Sequence, residues 1–237
     1  MERLILDLLF PRRCPLCGKI SDGFCKDCAK KLPYVRQPFC FHCGKPLLTS
    51  EQEYCLACRT HKYAYTQGRA LYHYADPVRE SLYAIKYSNK REYLEYFADD
   101  IHQHLGSIIA QWKPQVVLPI PMHIRAKRRR GYNQAELLAK YLAKRVDLPV
   151  HMDVLKKVRK TANQKELDYR ERLINLHGAF AVNTAYIEDG ILPWNSVLLI
   201  DDIYTTGSTI QEAAKMLRCA GVENIYFITL CIVSEKT

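Results

Sequence analysis

The sequence predicts an α/β architecture with a mostly parallel sheet, preceded by a small cysteine-rich module. Three observations predict it. Eight of the ten cysteines fall within residues 14–58. Downstream, short apolar runs alternate with segments of helical spacing, the order that builds parallel strands joined by crossover helices. One such run, Val197-Leu198-Leu199-Ile200, leads into Asp201-Asp202-Ile203-Tyr204-Thr205-Thr206-Gly207-Ser208-Thr209 and then a further helical stretch.

A chain of 237 residues suits one medium domain and one small one, and the composition divides them at 1–62 and 63–237. Apolar residues make up 48% of the chain, enough for a sizeable core. No apolar run approaches the ~20 residues a membrane helix needs. The opening MERLILDLLFPRR carries Asp7 inside its apolar stretch and no small-residue cleavage site, so it reads as a short amphipathic helix. A cytoplasmic protein without membrane insertion is expected. The formal charge of +10 falls to about +6 if eight thiolates hold two Zn²⁺. That balance suits anionic partners, phosphates or nucleic acid, without choosing between them.

The cysteines form four C-x-x-C pairs: Cys14/Cys17, Cys25/Cys28, Cys40/Cys43 and Cys55/Cys58. Two such turns converge their sulfurs into tetrahedral S₄ coordination. Each half repeats a C-x-x-C-Gly knuckle, with Gly18 and Gly44 in matching places. Disulfides would need an oxidising compartment and a redox dithiol would need one pair, so structural Zn²⁺ at two sites is predicted. Sites in series, Cys14/Cys17/Cys25/Cys28 and Cys40/Cys43/Cys55/Cys58, are simplest; spacing alone leaves a crossed pairing open. Cys219 and Cys231 read as small buried hydrophobes.

The remaining elements follow in order. GRALYHYA, 68–75, reads as a strand. Asp76 as N-cap and Pro77 as first helical residue open a helix to about Tyr87, and a second runs from about Tyr93 to Trp112. Lys86 and Lys90 flank the turn between them and read as solvated. Val116-Val117-Leu118 is a buried strand followed by the rigid Pro119-Ile120-Pro121-Met122-His123. The basic run Arg125 to Arg130 then precedes a helix over 134–145, with Asn133 and Glu136 as a reciprocal capping pair. Between a buried strand and a helix start, that run offers donors to a polyanion. A strand near Met152–Leu155 leads into polar residues 156–175, a surface excursion or a lid. Phe180-Ala181-Val182 is strand-like.

The run ending at Asp201-Asp202 is apolar throughout, as a strand buried on both faces is. The Thr/Gly/Ser loop and the helix IQEAAKMLRCA, 210–220, follow. Loop amides and a helix N-terminus attract phosphate, and two carboxylates at a strand's C-terminal end accept hydrogen bonds from vicinal ribose hydroxyls. A phosphorylated sugar is the ligand this arrangement suits.

Those residues match the phosphoribosyl-pyrophosphate (PRPP) signature of type I phosphoribosyltransferases. With the paired cysteines, Pro119–His123, Arg130-Gly131-Tyr132-Asn133-Gln134 and the spaced set Thr161, Gln164, Leu167, Arg172, Asn175, the chain resembles the ComF family of competence-associated phosphoribosyltransferase-like proteins. The resemblance covers nearly the whole chain. It implies a Rossmann-like type I phosphoribosyltransferase fold behind a double zinc ribbon. It implies that Asp201 and Asp202 hold the ribose hydroxyls and Thr205, Thr206, Gly207, Ser208 and Thr209 the 5′-phosphate. Pro119, Pro121, His123 and Arg130 would belong to the pyrophosphate side, and Arg159, Thr161, Gln164 and Arg172 to a lid. The implied reaction displaces pyrophosphate at ribose C1 with inversion, Mg²⁺ arriving with PRPP. Purine-salvage relatives often carry an aspartate where this chain has Thr205, which argues against simple hypoxanthine or guanine salvage. An alternative is a non-catalytic accessory protein that binds single-stranded DNA and works with a DNA-uptake helicase-type partner.

Overall fold

The computed structural model describes residues 11–158 and 178–234. The opening segment read as an amphipathic helix and the segment holding Arg159, Thr161, Gln164 and Arg172 lie outside the described residues.

Two short helices, α1 (Lys26–Ala29) and α2 (Leu56–Thr60), each begin beside the second C-x-x-C pair of a ribbon half. The main domain then runs β1 (Gln67–His73), α3 (Val78–Tyr87), α4 (Tyr93–Trp112), β2 (Val116–Pro119), α5 (Ile124–Arg130), α6 (Gln134–Arg145), β3 (Leu155–Lys157), β4 (Phe180–Val182), β5 (Ser196–Tyr204), α7 (Ser208–Cys219) and β6 (Asn224–Ile232). A four-stranded, wholly parallel sheet has the order β1-β6-β5-β2. The strands β3 and β4 pair antiparallel in a separate two-stranded sheet.

The central strand β5 shows why its sequence lacks polar alternation. Val197 and Leu199 pack into one core cluster with α7, while Leu198 and Ile200 pack into the other with α3, α4 and α6. Both faces are covered, so every position must be apolar. The crossover after β2 passes over one face through α6, and the crossover after β5 passes over the opposite face through α7. Connections that leave neighbouring strands in opposite directions open a crevice at the strands' C-terminal ends, where open α/β sheets bind ligands.

Several expectations shift. The strand β5 continues to Tyr204 instead of stopping at the carboxylates, because it remains paired to β6 through Ile203 and Tyr204. The helix α3 starts at Val78 with Pro77 in the cap position. Asp76 turns its carboxylate to the Arg79 guanidinium, Oδ1 accepting from Nε at 2.9 Å. The basic run is itself helical, α5, built from good helix formers and ended at Gly131. The strand placed near Met152–Leu155 falls at Leu155–Lys157. Cys231 is fully buried as read, but Cys219, at the end of α7, is exposed.

Candidate functional site

The crevice between the ends of β2 and β5 is a cleft of about 210 Å³. Its walls are Ile120, Pro121 and Met122 after β2, Arg130, Asn133 and Gln134 around the start of α6, Lys157 from β3, Lys86 from α3, and Asp201, Asp202 and Thr209. Three cations and two carboxylates therefore face one space.

Each wall has a local cause. Asn133 caps α6 by accepting the Ala135 N–H at 3.1 Å, while its side-chain amide donates to the Ile120 carbonyl at 2.9 Å. One side chain thus ties the helix start to the loop after β2. Asn133 and Glu136 do meet, Nδ2 donating to Oε1 at 3.4 Å, but side chain to side chain and not as a reciprocal backbone cap, because Glu136 is drawn to Lys127, whose Nζ lies 2.8 Å from Oε1 and 2.7 Å from Oε2. The Tyr132 hydroxyl donates to the Ile85 carbonyl and so fixes α3 beside the cleft. His123 caps α5, Nδ1 accepting from the Arg125 N–H at 3.2 Å, and does not line the cleft; Pro119 sits inside β2.

Lys86 and Lys157 are cleft cations that sequence reading missed, and Lys86 is the closer to the acidic pair. Its Nζ lies 2.5 Å from Asp202 Oδ2, and it is no solvated lysine. A signal was available, because Lys86 extends the i, i+4 row of buried Val78 and Leu82 and so lies at the edge of the apolar face of α3. Burial alone would lower the Lys86 pKa, but the adjacent Asp202 carboxylate outweighs it and the pKa is raised. Asp201 accepts the Asp202 backbone N–H at 2.9 Å, yet burial and the neighbouring Asp202 charge push its pKa up to about 8. Burial lowers the pKa of Lys157, with Asp201 partly compensating. Lys90, by contrast, makes only an exposed contact with Glu92 at 3.8 Å.

Beyond β5, Thr205 to Gly207 form the turn and α7 begins at Ser208. Gly207 occupies the cap position at φ 80°, and a Cβ there would lie 2.2 Å from the Tyr204 hydroxyl oxygen, so only glycine fits. Gly207 offers no side-chain cap, and the Thr206 hydroxyl accepts the Ser208 N–H at 3.5 Å. Thr206 and Ser208 share a hydroxyl–hydroxyl hydrogen bond of 2.5 Å. Thr209 reaches the cleft wall.

The cysteines assemble in series, Cys14/Cys17/Cys25/Cys28 and Cys40/Cys43/Cys55/Cys58, each set with its four sulfurs within 4.8 Å of one another. The donor set fits Zn²⁺. Zn–S bonds of about 2.3 Å in a tetrahedron imply sulfur–sulfur edges of about 3.7–3.8 Å. Cys17–Cys25 and Cys43–Cys55 both measure 3.7 Å. Gly18 and Gly44 share φ 74°, so the two knuckles are one conformation used twice. With four thiolates each, the sites are structural.

A parallel α/β sheet with an acidic pair, a glycine-capped loop and a helix start at its crevice defines the phosphoribosyltransferase class of domain. A family model described as phosphoribosyl transferase domain matches residues 92–237, and one described as double zinc ribbon domain matches residues 5–59. Competence protein F of Haemophilus influenzae is 39% identical over 112 residues, 47% of this chain and 48% of that protein. The match therefore spans about half the length of that relative. Competence protein ComFC of Bacillus subtilis is 28% identical over 206 residues, 86% of this chain and 70% of that one. DNA utilization protein YhgH of Escherichia coli is 26% identical over 161 residues, 67% and 68% of the two chains. The chain belongs to the ComF family. Among the described residues no helix is long and apolar enough to cross a membrane.

Proposed function

We propose that the cleft binds PRPP and that the protein is a phosphoribosyltransferase-like component of DNA uptake or nucleotide metabolism. The single observation that carries this reading is the acidic pair near the C-terminal end of β5, which lines one cleft together with Thr209 from the first turn of α7. Asp201 and Asp202 accept hydrogen bonds from the ribose hydroxyls. Thr205 to Thr209 and the first-turn amides of α7 receive the 5′-phosphate, where the helix dipole favours an anion. Lys86, Arg130 and Lys157, which line the cleft with Ile120, Pro121 and Met122, are the cations that neutralise a leaving pyrophosphate in this reading. Mg²⁺, held by the oxygens of PRPP, supplies further charge neutralisation when bound. The reaction such a site serves is displacement of pyrophosphate at C1 with inversion. Thr205 offers no base to an acceptor, so a nucleophile must bring its own or need none. The names of the relatives point to competence and DNA utilization.

The test is calorimetric titration of PRPP with Mg²⁺ into the wild type and into the double variant Asp201→Ala, Asp202→Ala. Binding to the wild type and none to the variant is expected. Equal affinity in both would remove the site assignment.

A second reading, single-stranded DNA binding without catalysis, is favoured by the exposure of Arg128 and Arg129 on α5, which leaves a basic surface beside the cleft.

A further inference from the structure

The second ribbon half and the Thr205–Thr209 loop are joined by an unbroken line of contacts. His42, in the Cys40/Cys43 knuckle, has Nδ1 3.4 Å from Cys58 Sγ and Nε2 3.1 Å from the Tyr65 carbonyl oxygen. Its ring stacks on Tyr65, with centroids 4.6 Å apart. The Tyr65 and Tyr204 hydroxyls, both buried, share a hydrogen bond of 3.0 Å. Tyr204 in turn carries its hydroxyl directly beneath Gly207.

Nothing in this line has room to move. Tyr204 lies flat on Phe227, ring centroids 5.1 Å apart, and Tyr65 meets the same ring edge-on at 5.0 Å. Tyr204 cannot retreat into Phe227, and it cannot advance without striking the turn at Gly207. Two further tethers run from the ribbon's exit to α7, the helix that starts at the loop. The Ala64 N–H donates to Gln211 Oε1 at 2.7 Å, and Arg218 Nε donates to the Ala64 carbonyl at 2.8 Å. Buried hydroxyls are costly to leave unpaired, so the Tyr65–Tyr204 bond holds both rings in one place.

We propose that Tyr65 and Tyr204 are positioning residues for the 5′-phosphate loop, and that the Cys40/Cys43/Cys55/Cys58 metal site sets their position through His42. The proposal rests on the assignment of Thr205–Thr209 to the phosphate. The ribbon half then acts as a buttress: its metal closes the knuckle, the knuckle places His42, and the tyrosine pair sets the height of the turn above the sheet. The hydrogen bonds and ring contacts of this line involve none of Lys86, Arg130 and Lys157, the three cleft cations assigned to the pyrophosphate.

The experiment measures affinity for ribose 5-phosphate and, separately, for inorganic pyrophosphate in the wild type, Tyr65→Phe, Tyr204→Phe and His42→Phe, with zinc content determined for each. Tyr65→Phe and Tyr204→Phe remove only a hydroxyl, whereas His42→Phe removes both ring nitrogens and enlarges the ring, so its zinc content is the control for the knuckle. Ribose 5-phosphate affinity is expected to fall about tenfold, equivalent to about 1.4 kcal/mol, with pyrophosphate affinity and zinc content unchanged. Unchanged ribose 5-phosphate affinity in all three variants overturns the proposal. An equal fall for both ligands also overturns it, since that reports general loosening. Failure of the wild type to bind ribose 5-phosphate overturns the phosphate-loop assignment itself, so the two failures are distinguishable.

Discussion

Lys86 Nζ and Asp202 Oδ2 stand 2.5 Å apart, with side chains only 20% and 18% exposed. The pair joins α3 to the end of β5 across the floor of the cleft. Beside it lies Asp201, whose pKa burial and the Asp202 charge push up to about 8. The cleft keeps an excess of cations, with Lys86, Arg130 and Lys157 against Asp201 and Asp202, and Lys86 is the one paired directly.

Removing the cation should therefore cost stability. Lys86→Met leaves the half-buried Asp202 carboxylate without its counter-charge. The pair is more enclosed than a surface ion pair and less than a core one, so a loss of about 2–3 kcal/mol is expected at pH 7.5. Urea unfolding measures it. An equal loss from Lys86→Met in an Asp202→Asn background would assign the effect to packing.

Asp201 carries its own pH signature. Its folded pKa, about 8, lies above its ordinary 3.8, so the folded protein holds the proton more tightly than the unfolded chain. The stability this confers is complete at low pH and is lost as pH rises from about 4 to about 8. Asp201→Asn keeps an oxygen for the Asp202 N–H and cannot ionise. It should match the wild type near pH 4 and exceed its stability at pH 8. Chemical denaturation at several pH values decides this, and parallel curves would refute the shifted titration.

Gly207→Ala forces a Cβ to within 2.2 Å of the Tyr204 hydroxyl oxygen and places alanine at φ 80°. The left-handed conformation alone costs about 1–2 kcal/mol for a residue with a Cβ, and the clash adds to it. A lower Tm and loss of PRPP binding are expected by thermal melting and calorimetry. A wild-type Tm would show that the turn can relax.

The two metal sites should differ in lability. Cys40 and Cys43 are buried, whereas Cys17 in the first site is exposed. Chelator challenge followed by a colorimetric zinc indicator should release two equivalents per chain in two phases, the faster from Cys14/Cys17/Cys25/Cys28. Cys17→Ser should remove the fast phase. A single phase would show that the sites open together.

Arg130 and its neighbours should separate the two functional readings. Arg130 lines the cleft, while Arg128 and Arg129 are exposed. Arg130→Met should weaken PRPP binding. Neutralising Arg128 and Arg129 should leave it intact and reduce the salt slope of single-stranded DNA binding by about 1–2. A salt-independent DNA affinity would remove the nucleic-acid reading.

Much of this protein was legible in its amino-acid order. Four C-x-x-C pairs announce two S₄ sites because the ligands of a knuckle are close in sequence. The apolar run into Asp201-Asp202 and the Thr205–Thr209 loop announce a buried strand and a helix start because those signals, too, are local. Periodicity also located α4 and α6 with little error. The serial zinc pairing, the place of Lys86 and Lys157 in the cleft, and the contacts from His42 through Tyr65 to Tyr204 beneath Gly207 were not legible. Each depends on distances between residues far apart in the chain, which are set by how the helices pack on the sheet. A lysine on an amphipathic helix is solvated or buried according to what covers that helix's edge, and only the folded chain supplies Asp202 there.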